Sequence, residues 1–199
     1  MPRLQAATKE TRRHDLVAAA LRAVRHRGFQ SLTVDDVCAE AGVSKGAFYV
    51  YFERKKDLLL ALIDDEAAEI EELMADLERR PGGAVERLRR FAREIARRGD
   101  DPAHVQIRAD IWAEMSSDGD VRKRWAAVMR VRRARLRAWV DEAVSSGDLA
   151  AIPPNALAAM LLALSDGLLL HSGLDPQAFR WGNVARALDA VLEGLSDHG

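Results

Sequence analysis

The sequence predicts an all-α protein, and three observations predict it. Apolar residues recur at three- and four-residue spacing along almost the whole chain. No run of alternating Val, Ile, Thr or aromatic residues bounded by turns occurs, so strands are not expected. Gly, Pro and capping residues punctuate the chain at helix-length intervals and divide it into about nine helices. At 199 residues, 48% hydrophobic and 31% charged, the chain can bury a substantial core as one or two domains.

The first helix is expected from about Thr8 to Arg27. It carries Leu16, Ala20, Leu21 and Val24 on its buried side and stops at Gly28, a residue suited to the left-handed position that ends a helix. A second, short helix runs from Val34 to Ala41. The Thr33 hydroxyl can cap it while Asp36, three residues on, returns a bond to the Thr33 amide, a capping box. Val34, Val37 and Ala41 then share the side that packs. Gly42 allows a tight turn, Val43 plugs the space between helices, and Ser44 can cap a third helix starting at Lys45. Two short helices joined by a Gly-containing turn form a helix-turn-helix, whose second helix enters the DNA major groove.

A long fourth helix follows from about Lys55 to Arg79, closed by Pro81-Gly82-Gly83. Five more are expected near Ala84–Arg98, Pro102–Met115, Asp120–Ser145, Pro154–Ser172 and Gln177–Leu195. The organisation is an N-terminal three-helix DNA-binding head over residues 1–56, joined through the long helix to a C-terminal bundle over 57–199.

Charge supports that division. Residues 1–56 carry eleven Lys or Arg against six Asp or Glu, and residues 57–199 carry nineteen against twenty-five. A head of net +5 on a body of net −6 fits a polyanion-binding module attached to something that binds none, although a fluctuation of surface charge would look the same.

The segment AGVSKGAFYVYF, residues 41–52, holds both tyrosines and two of the five phenylalanines. Phe48 and Phe52, four apart, share a face that points into the head's core with Leu21, Val24 and Phe29. Helical stepping of 100° per residue puts Tyr51 about 200° from Tyr49, so their hydroxyls can reach the backbones on opposite groove walls. The rival reading makes both tyrosines core filler with hydroxyls at the rim.

TVDDVCAEAGVSKGAFYVYFERKKDLLLAL resembles the DNA-binding region of the TetR family of bacterial transcriptional regulators, over about residues 8–62. The matching features are Thr33, Ala41-Gly42-Val43-Ser44, Gly46, Phe48-Tyr49, Phe52 and Lys55 to Leu58. The resemblance implies that Thr33, Tyr49, Tyr51 and a lysine at 55 or 56 hold phosphates. It implies that Ser44, Lys45, Gly46 and Ala47 approach bases. Tyr51 stands where relatives often have histidine, which keeps a donor to phosphate. Arg54 stands where a small capping residue is common, which leaves the cap of the fourth helix open, with Asp57 favourable to the dipole. Cys38 stands where alanine is usual and reads as buried packing, with redox sensing as the rival.

A recognition helix this short needs a partner copy, because helix-turn-helix dimers place two such helices in successive major grooves. Residues 155–174, NALAAMLLALSDGLLLHSGL, are apolar nearly all round, and Val184, Leu188, Val191 and Leu195 recur at helical spacing in the last helix. The last two helices are therefore expected to form a homodimer interface, as the resemblance also implies; a monomeric core is the alternative. The resemblance further implies a small-molecule effector pocket beyond the fourth helix. Its candidate lining is His104, Trp112, Met115, Trp125, Met129, Trp139, Asp166, Leu169 and His171, although core packing is the commoner role for each. Eight basic residues between Arg122 and Arg137 are expected to pair with Asp64, Asp65, Glu66, Glu69, Glu71 and Glu72 of the fourth helix.

Other functions find little support. There is no Glu-x-x-His pair, His-Glu-x-x-His, Gly-rich phosphate loop or Gly-x-Ser-x-Gly elbow, and the five histidines are scattered, so neither an enzyme nor a metal or cofactor site is expected. A single cysteine, no apolar leader and no stretch of 18 uninterrupted apolar residues lead us to expect a cytoplasmic protein with no membrane partner. The expected function is a homodimeric TetR-type regulator, a repressor on a near-palindromic operator released by a small molecule. An architectural DNA binder without an effector is the second reading.

Overall fold

The structure, a computed structural model, describes residues 2–177 and 179–196, all helix and connection among the described residues. The helices are α1 (Pro2–Ser31), α2 (Val34–Ala41), α3 (Lys45–Tyr49), α4 (Lys55–Arg79), α5 (Ala84–Gly99), α6 (Pro102–Ser117), α7 (Gly119–Ser145), α8 (Pro154–Leu174) and α9 (Trp181–Gly194). The expected starts of α2, α4, α5, α6 and α8 coincide with those observed, because each is marked by a cap or by a Pro or Gly connection.

The first helix stops at Gly28 as expected, where φ of 70° and ψ of 159° are non-helical, and a further turn to Ser31 completes α1 beyond that kink. Other bounds differ: α1 begins at Pro2 and not near Thr8, and one end each of α5, α6, α7 and α8 shifts by one or two residues. α9 begins at Trp181, later than the expected Gln177.

The head and body share a core. Leu16, Val17, Ala20, Val24, Phe29, Leu32, Val37, Phe48 and Phe52 form one cluster with Leu58, Leu59 and Leu62 of α4, Ile107 and Ile111 of α6, and Val121 and Trp125 of α7. Leu21, expected with them, is only partly buried at its edge. A second cluster fills the far end, built on Ile70, Met74, Leu77, Leu88, Phe91, Leu136, Trp139 and Val140. The packing therefore runs across residue 56 without a gap.

α8 is the exception to burial. Its apolar stretch has mean hydropathy 1.6, yet only 28% of it is buried. Met160 and Leu164 on α8 and Val191 on α9 are exposed, Met160 at 66%. Asp166, on the same helix, lies in a buried ion pair with Arg108, so one side of α8 lies against protein.

Candidate nucleic-acid interface and its connection to the body

The helix-turn-helix is assembled by its caps. Asp36 N donates to Thr33 Oγ1 at 3.1 Å, and Thr33 N donates to Asp36 Oδ2 at 2.9 Å, closing the expected capping box. Gly42 takes the left-handed position at φ 65° and ends α2. Ala47 N then donates to Ser44 Oγ at 3.2 Å and starts α3. Arg54 supplies no side-chain cap to α4; Asp57 accepts from the Arg54 amide at 2.9 Å instead.

The aromatics divide as their spacing indicated. Phe48 and Phe52 are buried with ring centroids 5.4 Å apart. Tyr49 stands 52% exposed, its ring edge-on to Phe48. Tyr51 requires a correction. α3 ends at Tyr49, so Tyr51 lies in the following turn, where helical stepping no longer fixes its direction. It is half-buried against the head's core and lines a groove of about 420 Å³ with Arg12, Asp15 and Val50.

The exposed tip of α3 carries Ser44, Lys45 and Gly46, with Ala47 partly covered. Lys45 Nζ lies 2.8 Å from Asp35 Oδ1, and this bond raises the ammonium's pKa, so the lysine stays charged. Asp35 went unremarked in the sequence because the pairing crosses from α2 to α3.

The two following lysines face inward. Lys55 Nζ donates to the Gln30 carbonyl at 2.8 Å and lies 4.6 Å from the Phe29 ring centroid. Burial lowers its pKa, with Glu114 and Asp110 opposing. Lys56 is held by Asp120 at 2.7 Å and Asp118 at 3.0 Å, which raise its pKa. Neither lysine is a free cation on the head, and a phosphate would have to compete with these partners. Cys38 is buried; burial and then Asp35 push its thiol up, away from the reactive thiolate.

The head is fastened to α6. Phe29 N donates to Asp110 Oδ2 at 2.7 Å in a buried bond, and Gln30 Nε2 donates to Glu114 Oε1 at 2.7 Å.

Deeper in the body lies a buried charge cluster centred on Arg108, a residue that sequence reading missed. Arg108 donates from Nη2 to Glu66 Oε1 at 2.6 Å and from Nη1 to Asp166, and it stacks 4.5 Å from the Trp125 centroid. Arg132 lies 3.5 Å from Glu66 Oε2 and 5.6 Å from the same ring. Burial pushes the Glu66 carboxyl up, but Arg108, Arg132 and Arg98 outweigh it and leave it below the ordinary carboxylate range. Burial likewise raises Asp166, with Arg108 opposing. The one signal in the sequence was an arginine on the apolar face of α6, one residue from Ile107.

The nine residues proposed to line an effector pocket are not gathered into one cavity. Trp125, Met129 and Met115 belong to the head-proximal core, and Trp139 to the distal one, its Nε1 donating to Glu78. Leu169 packs with Ala96 and Trp181. Asp166 is held by Arg108, and Trp112 and His171 are exposed. His104 pairs with Asp101 at 3.3 Å and accepts or shares a bond with Arg98 at 3.0 Å beside Glu69. Helical periodicity identifies buried faces but not which helices those faces meet. Of the eight basic residues of α7, three pair with α4 among the described residues: Arg124 with Asp64, the buried Arg132 with Glu66, and Arg135 with Glu71 and with Glu78, which was not among the expected partners.

Two families of known proteins match parts of this chain. Residues 16–62 match the profile of bacterial regulatory proteins of the tetR family, and residues 84–197 match that of the BetI-type transcriptional repressor C-terminal region. The chain is 27% identical to the HTH-type transcriptional repressor AcnR of Corynebacterium diphtheriae, covering 98% of this chain and 97% of that protein. It is 30% identical to the HTH-type transcriptional regulator BetI of Agrobacterium fabrum, covering 82% and 77%. A crystal structure of a TetR-family regulator from Pectobacterium atrosepticum superposes with a TM-score of 0.75 at 25% identity, covering 96% and 97%.

Proposed function

This chain belongs to the TetR family of bacterial transcriptional regulators, and from that premise we propose that it is a repressor which binds a near-palindromic operator as a homodimer and releases it when a small molecule enters the body. The observation that carries the reading is the α2–α3 unit, two capped short helices with Lys45, Gly46 and Tyr49 exposed at the tip over a buried Phe48. Residues 1–56 act as the DNA-binding module and residues 57–199 as the sensing and dimerising one. Lys45, Gly46, Ser44 and Ala47 face base edges. Thr33, Tyr49 and Tyr51 touch phosphates, joined by Lys55 or Lys56 where DNA draws them from their internal partners.

Dimerisation is supported by the large apolar residues Met160 and Leu164 on α8 and Val191 on α9, which a lone chain would leave in water. Two copies related by a two-fold axis present two recognition helices, which is why the operator has matching halves. The test is fluorescence anisotropy with duplexes tiled across the region upstream of the protein's own gene. Nanomolar, salt-dependent binding to one tile over the rest is expected, at a stoichiometry of two chains or a multiple of two. Equal binding to every tile would overturn the operator reading in favour of an architectural DNA binder.

A further inference from the structure

We infer that an open cleft where α5 turns into α6 and α8 gives way to α9 is the site at which a small, uncharged, mainly apolar molecule acts on this regulator, with Gln106 and Asp110 carrying its presence to the head. The inference rests on the regulator reading above and names the ligand class and the route.

The cleft measures about 390 Å³ and is walled by Val105, Gln106, Gly173, Phe179 and Trp181. That volume falls in the range of roughly 300–1,000 Å³ typical of small-molecule sites. The Ser172 hydroxyl at its edge is already committed to the Leu169 carbonyl at 2.8 Å. Asp100 is the ionisable residue on the lining, and it is a carboxylate at the exposed end of α5. Two helix C-termini, of α5 and α8, and two N-termini, of α6 and α9, meet here, so their end charges oppose one another. An anion would face Asp100 without a counter-charge, and any ion would lose hydration against the aromatic wall. An uncharged molecule meets neither cost.

Trp181 forms the inner wall and is 8% exposed. It lies against the bare backbone of Gly99, where a Cβ would sit 2.1 Å from the indole, so glycine is required for the ring to reach α5. The same indole bounds a second, nearly filled apolar void lined by Leu88, Phe91, Ile95, Leu161 and Leu168. Rotation of Trp181 would extend the cleft into that void.

Gln106 connects this cleft to the DNA-binding unit. Its Nε2 donates to Asp110 Oδ2 at 3.3 Å, and the same oxygen accepts the Phe29 amide at 2.7 Å. The Gln106 amide also lies 3.0 Å from where a Cβ on Gly28 would stand, at the kink of α1. A ligand that draws the Gln106 side chain into the cleft removes one donor from Asp110 and the support behind that kink, one turn before α2.

The test uses the full chain and the uncharged fluorophore N-phenylnaphthylamine, with anilinonaphthalene sulfonate as its anionic counterpart. Saturable binding of the uncharged probe is expected, with the sulfonate at least about tenfold weaker. Val105→Phe, which fills the cleft, should weaken the uncharged probe by at least about tenfold. Probe saturation should lower operator affinity by roughly 5- to 150-fold, and Asp110→Ala should bind the probe normally but lose most of that effect. Thermal melting checks each variant; if Val105→Phe does not fold, Phe179→Ala on the opposite wall replaces it with the same expected loss. Absence of probe binding, equal binding of the sulfonate, or indifference to the wall variants would overturn the site. Undiminished coupling in Asp110→Ala would overturn the route. A chain that binds probe as described but never binds a specific duplex would leave the site standing and sink the regulator reading instead.

Discussion

The backbone amide of Phe29 donates to the carboxylate of Asp110 at 2.7 Å, a buried bond that joins the last turn of α1 to the middle of α6 across 81 residues of chain. Phe29 belongs to the head's core, so this bond, with the shared core around it, helps to fix where the helix-turn-helix sits on the body. Asp110→Ala leaves the amide buried and unpaired. We expect it to cost about 1–3 kcal/mol in urea denaturation and to weaken operator binding, while Glu114→Ala, at the exposed bond to Gln30, costs under about 1 kcal/mol.

Tyr49 and Lys45 should separate affinity from sequence preference. Tyr49→Phe removes one hydroxyl donor and should weaken all duplexes alike by about 0.5–1.5 kcal/mol, with the salt dependence unchanged. Lys45→Ala should reshape the ranking of operator variants and reduce the salt slope by about 1. A Lys45→Ala protein with an unaltered ranking would remove this residue from base reading.

The interface on α8 and α9 should be separable from the fold. Met160→Glu and Val191→Glu place charges where the single chain is open to solvent, at 66% and 61% exposure. Light scattering should show monomers with unchanged helical content, and specific DNA binding should fall sharply. A variant pair that stays dimeric would assign dimerisation to another surface.

Arg108 should be the most sensitive residue of the buried charge cluster. Arg108→Ala strands Glu66 and Asp166 without their shared partner, and removing one member of a buried ion pair costs about 3–5 kcal/mol. Replacing Arg108, Arg132, Glu66 and Asp166 together by apolar residues of similar volume should recover most of the melting temperature. The same fourfold replacement should blunt any effector response, because the cluster ties α4, which carries the head, to α6, α7 and α8.

Acid stability should carry the mark of Glu78. Hydrogen bonds from Arg135, opposed by burial and aided by Trp139, bring its pKa from an ordinary 4.5 to about 2. The folded value lies below the unfolded one, so this stabilisation is complete above about pH 4.5 and is lost as pH falls towards 2. Glu78→Gln should lower the urea midpoint at neutral pH, where the stabilisation is fully present, and change it little near pH 2, so that limb of the stability curve flattens.

What the sequence determined by itself is the local architecture of this protein. Thr33 with Asp36, Gly42, Ser44 and the Phe48/Phe52 pair act over three or four residues, and their covalent spacing alone commits them to caps, a turn and a buried face. The same is true of the surplus apolarity of α8, which is a property of composition. Only the tertiary structure decided which residues meet. Lys55 and Lys56 turned inward because the end of α1 brings a carbonyl and a ring to the first and the start of α7 brings two carboxylates to the second. Arg108 found Glu66 and Asp166 across gaps of 42 and 58 residues. Trp112, Trp125 and Trp139 dispersed to surface and two separate cores. Helical periodicity specifies a buried face but carries no record of the partner helix, since that choice is made by packing the helices together.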